Sequence, residues 1–153
     1  MAVTSTASIL SARAAETLYT EALLLADESR AYFDRDGRAD SSRLDPHTRV
    51  QFACESLRAT TRLMQAIAWL AMRRAIDTGE VAEGDPRSPE RGLIAATPSE
   101  PDVLGRLPGT ARRLILAGID LHERVGRLAD NLEAPIATAS PARVLLERLE
   151  RAF

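Results

Sequence analysis

The sequence predicts an all-α fold: a three-helix bundle with a long central helix, a long loop over residues 80–100 and a short tethered C-terminal helix. Three observations predict it. Apolar residues recur every three or four positions through three long stretches, the spacing of one helix face. Ala, Leu and Arg dominate while aromatic residues make up 4% of the chain, a composition that favours helix over strand. Gly and Pro gather in the stretch over 80–100, between the second and third periodic runs.

Residues 1–8 are small and polar and read as a loose tail, ahead of a bundle domain over 9–133. From Ser11 to Arg35 the residues Ala14, Leu18, Ala22, Leu25 and Tyr32 form a helical stripe. Gly37 is expected to stop that helix as its C′ residue, with residues 39–45 as the turn.

Asp45-Pro46 announces the central helix, an N-cap followed by proline at the first helical position. No further Gly or Pro occurs until Gly79, so the helix is ~50 Å long at its rise per residue. Val50, Ala53, Leu57, Thr60, Met64, Ile67 and Ala71 fall on one face, and Phe52, Ala59, Leu63, Ala66 and Leu70 on a second. A helix apolar over most of its circumference must be covered on several sides. The second face is therefore assigned to a homodimer interface: Phe52, Ala59, Leu63, Ala66 and Leu70. Between the faces runs a polar strip, Glu55, Arg58, Arg62 and Gln65, with Trp69 at its end. Arg beside Trp is a composition typical of protein-binding hot spots, so these five residues are expected to bind a partner.

Residues 80–100 are rich in turn formers, with Leu93 and Ile94 able to pin the middle onto the core. A third long helix runs from about Pro108 to Leu132, with Leu114, Gly118, Leu121, Val125, Leu128 and Leu132 as its seam. Gly118 is read as the mark of a tight crossing. Residues 134–153 form a linker and a short amphipathic helix opened by Ser140-Pro141, with Val144, Leu145 and Leu149 as its partner-binding side. So short a helix is marginal alone and must dock on something.

The chemistry expected of an enzyme is missing from the pattern. There is no HExxH, CxxC, Walker A or GxGxxG motif, and two histidines with one cysteine do not build a zinc site. His47 and Cys54 lie ~10.5 Å apart along the helix, too far for a dyad; Cys54 is expected in the core and His122 at a packed edge. Neither an enzyme nor a metal or cofactor is predicted. A formal net charge of −2 argues against nucleic-acid binding, and the longest apolar run is too short for a membrane span. All 20 basic residues are arginine. The first residues lack the pattern of a secretion signal, so the expected location is the cytoplasm.

The central stretch from Phe52 to Leu70, continuing to Glu80, resembles the long helix of the alphaproteobacterial RcdA (regulator of CtrA degradation) family. Glu55 to Gln65 is its most specific block, and Leu107 to Leu128 is similar as well. The resemblance implies a three-helix-bundle dimer that serves as an accessory adaptor of the ClpXP protease. Such an adaptor helps to deliver cell-cycle regulators together with response-regulator and cyclic-di-GMP-binding partners. It also implies a cytoplasmic location with polar foci and a partner-contacting tail, although residues from Ala134 onward do not match the family pattern. A second reading stays open: a helical scaffold of the same fold with no link to proteolysis.

Overall fold

The computed structural model describes residues 6–84, 92–133 and Leu149, and all regular structure among them is helical. Five helices follow one another: α1 (Thr6–Asp34), α2 (Asp36–Ser42), α3 (Pro46–Asp77), α4 (Pro101–Arg106) and α5 (Gly109–Glu133). The three long helices are those that the periodicity predicts. Helix α1 begins at Thr6, so the last residues assigned to a loose tail are helical.

Local chemistry sets the ends of α3. The Asp45 carboxylate accepts a hydrogen bond from the Thr48 amide at 3.0 Å, and Pro46 supplies the first helical position. The bonds to Thr48 hold the Asp45 carboxyl below the usual carboxylate range. Gly79 ends the helix with a φ of 78°, a left-handed conformation that favours glycine. Gly37 does something different from the expected stop. It lies inside α2, where a turn was expected, and a Cβ there would sit 3.1 Å from the Tyr32 carbonyl oxygen. Close approach, not a positive φ, favours glycine. The Tyr32 hydroxyl donates to Asp40 at 2.8 Å and fixes α2 against α1; burial and that carboxylate push the phenol pKa well up.

Two contiguous clusters make the core. One joins Tyr32, Phe52, Ala59, Leu104, Leu107, Ala111, Leu114 and Ile115; the other joins Ala15, Ala22, Leu63, Ala66, Leu70, Leu121 and Val125. The clusters reveal direction. The first halves of α3 and α5 share one cluster and their second halves the other, so these helices run parallel. Helix α1 contributes its C-terminal end to the first cluster and its N-terminal half to the second, so it is antiparallel to both. Ion pairs agree: Glu21 meets Arg124 while Glu28 meets Arg113 at 2.7 Å.

Parallel neighbours cannot be joined by a short turn. The chain leaving the end of α3 must travel back along the bundle before α5 begins. That return accounts for the long stretch over 80–100.

Gly118 is buried in α5, yet a Cβ placed there would meet nothing within 4 Å, so it does not mark the tight crossing expected of it. Gly118→Ala is expected to raise stability by up to about 1 kcal/mol, the helix-propensity difference between the two residues. Gly37→Ala is expected to lower it. Thermal unfolding of the two variants checks both signs.

Candidate interaction surfaces

The returning segment lies in the groove between α3 and α5 and is fastened at named points. Leu93 packs into the second core cluster, beside Gly126 of α5. The Ile94 carbonyl oxygen lies 3.1 Å from Nε2 of His122, although the Ile94 side chain is exposed. Further down, Arg62 donates to the Thr97 carbonyl oxygen and to Ser99 Oγ, both at 2.7 Å, and the Ser99 hydroxyl donates to the Glu55 carboxylate. Arg58 pairs with the other Glu55 oxygen.

This clip is buried. Glu55 and Arg62 are 1% and 3% exposed, because the strap formed by residues 92–100 covers them. Burial lowers the Arg62 pKa while the Glu55 charge raises it. A buried ion pair is tolerated when each charge is matched and its oxygens and protons are bonded, the condition Glu55 meets here. The sequence expectation of an open partner-binding strip is thereby corrected. Glu55 and Arg62 face inward and hold the chain's own strap, because their acceptors and donors lie 35 to 44 residues away.

Gln65 and Trp69 have a different setting. With Thr61, Met64, Ala68, Met72, Leu93 and Ile94 they line an open, mostly apolar groove of about 790 Å³ beside the strap. Val144 and Leu145 lie outside the described residues, and Leu149 is helical and 56% exposed.

The two apolar faces of α3 exchange the roles assigned to them. Phe52, Ala59, Leu63, Ala66 and Leu70 are buried in the chain's own core, so they are not a surface for a second copy. Small residues favour the choice: Ala59 shares a core cluster with Ala111 of α5, and Ala66 shares the other with Ala15 and Ala22 of α1, side chains small enough for close helix approach. The opposite face is left outside. Val50, Leu57 and Met64 are 62%, 68% and 66% exposed, and Cys54, Thr61 and Ala68 between them are exposed too. These six residues follow a 4-3-4-3-4 spacing, the seam of a coiled coil. Cys54, expected in the core, therefore lies on the surface.

His122 is the packed edge histidine that the sequence suggests. Burial chiefly, with the Arg62 charge nearby, lowers its pKa, and the neutral ring donates from Nε2 to Ile94. Among the described residues no group of three or more His, Cys, Asp and Glu side chains could hold a metal ion, and no helix is long and apolar enough to cross a membrane.

A family model described as "Protein of unknown function (DUF1465)" matches residues 6–153. The chain belongs to this family. Among solved structures the DUF1465 chain is similar to the crystal structure of RcdA from Caulobacter crescentus CB15, at 30% identity and a TM-score of 0.64. The match covers 77% of this chain and 89% of that one, and it bears out the RcdA-family resemblance carried by Glu55 to Gln65. No protein of curated function matches the sequence.

Two predictions follow from the geometry of this RcdA-family chain. Arg62→Ala leaves the Thr97 carbonyl oxygen and Ser99 without their donor and frees the strap, so it is expected to cost roughly 2 kcal/mol in urea unfolding. The double change Glu55→Leu with Arg62→Met is expected to cost far less, since apolar replacement of both charges relieves their desolvation. The second concerns pH. A histidine whose pKa is lowered by folding binds its proton less readily when folded, so its contribution is complete above its ordinary value of 6.5 and is lost as pH falls through the lowered one. Unfolding midpoints are expected to decline from about pH 7.5 to about pH 5, and to decline less in His122→Gln.

Proposed function

We propose that this chain is a non-enzymatic, cytoplasmic adaptor that helps to deliver cell-cycle regulators to the ClpXP protease, and that it acts as a homodimer. Family membership with RcdA gives the reading its direction. The observation that carries it is the uncovered seam of α3, where Val50, Leu57 and Met64 stand in solvent at helical spacing. A contiguous exposed apolar stripe on a folded chain marks an interaction surface.

The surface divides into two parts. Val50, Cys54, Leu57 and Thr61 form an open seam suited to the same seam of a second copy, a self-complementary contact of the kind found in two-fold dimers. Toward the other end, Met64, Gln65, Trp69 and Leu93 enclose the apolar groove, which suits the apolar face of a helix from a partner. An adaptor needs no reactive group. Holding cargo and unfoldase at once raises the local concentration of one at the other, and that accelerates delivery.

A reconstituted degradation assay tests the proposal. Addition of the purified chain should accelerate ClpXP turnover of a cell-cycle regulator in the presence of the response-regulator and cyclic-di-GMP-binding partners. Turnover unaffected for every regulator tested, in vitro and after deletion from cells, would favour the scaffold reading and overturn this one. Light scattering should give twice the chain mass of 16.7 kDa, and Leu57→Asp should return it to the monomer without loss of helix content. A wild-type chain that scatters as a monomer at all concentrations contradicts the dimer.

A further inference from the structure

We propose that residues 141–153 dock as a helix in the Met64–Trp69–Met72–Leu93 groove of their own chain. The inference concerns the isolated chain and stands apart from ClpXP delivery.

Three observations bring tail and groove together. The first is where the chain leaves the bundle. Helix α5 ends at Glu133, and its carboxylate rests against Gly92, a residue of the groove wall; a Cβ at Gly92 would lie 2.7 Å from Glu133 Oε1. The tail therefore starts at the groove's edge.

The second is length. Residues 134–140 can span up to ~24 Å when extended. The thirteen residues after them make a helix of ~20 Å, and the α3 wall from Thr61 to Met72 runs ~17 Å. Tail and groove match in size, and the short tether gives an effective concentration on the order of millimolar.

The third is pattern. After the Ser140-Pro141 start signal, Leu145, Leu149 and Phe153 fall at four-residue steps, with Leu146 beside them. Arg143, Glu147, Glu150 and Arg151 fall on the other side, and Val144 among them. The apolar stripe thus runs through Leu145 and Leu149 and omits Val144. Leu149 is 56% exposed as the chain stands here, and the groove that would cover it is open. A helix this short is unstable without such cover.

Trp69 lines the groove and is the single tryptophan of the chain, so its fluorescence reports on the occupant. The full-length wild type is compared with a full-length Leu145→Asp, Leu149→Asp variant, with far-UV circular dichroism as a check on the bundle. The expected result is a red-shifted Trp69 emission and a steeper acrylamide quenching slope in the variant, with wild-type emission constant on dilution. Identical emission and quenching in the two proteins would overturn the proposal, because the groove is then empty or filled by something else. Wild-type emission that shifts to the red on dilution would overturn it too, since the tail would then come from a second copy.

Discussion

A buried pair of opposite charges, Glu55 and Arg62, fixes the crossover on which the shape of the molecule depends. Parallel placement of α3 and α5 obliges the chain to return along their groove, and an irregular segment lying there needs partners for its polar backbone. Arg62 supplies one by donating to the Thr97 carbonyl oxygen, and Ser99 links the same guanidinium to Glu55. His122 meets the Ile94 carbonyl oxygen above, and Leu93 adds apolar cover. The charges sit in the inward seam of α3 at positions where apolar residues would pack as well. Polar groups in such a seam select one arrangement out of several of similar apolar content.

The rest of the surface follows from that choice. With the strap seated on the Glu55–Arg62 edge and α1 and α5 covering Phe52, Ala59, Leu63, Ala66 and Leu70, one arc of α3 has no neighbour among the described residues to hide it. Three long helices and one strap do not enclose a fourth side. The exposed seam from Val50 to Ala68 is thus a consequence of topology, and Leu93 turns its upper half into a groove. The described surface offers apolar places to grip. That is the character the family relationship to RcdA suggests.

Much of this was legible in the sequence. The three long helices announce themselves by spacing, Asp45-Pro46 and Gly79 bracket the central one, and Glu55 to Gln65 points to the family. Helix α2 was not legible because its seven residues are mostly polar and carry no periodicity. Which face of α3 turns inward was not legible either. Both arcs repeat at the same period with similar apolar content, and what separates them is that Ala59 and Ala66 join core clusters with alanines of other helices. Glu55 and Arg62 read as a solvated edge because nothing local shows their partners. Ser99 lies 44 residues beyond Glu55, and its Oγ faces that carboxylate only after α3 and α5 have aligned in parallel. One faint signal existed: Glu55 and Arg62 stand in the same heptad register as Phe52, Ala59 and Ala66.

The strap's seat in the α3–α5 groove is best tested by nuclear Overhauser contacts in solution. The account predicts cross-peaks from the Leu93 methyls to the Gly126 α-protons, and from the Ile94 region to the His122 ring. A wild-type spectrum in which residues 93–99 show only sequential contacts would contradict it, because the strap would then lie off the bundle and the buried pair would lose its cover.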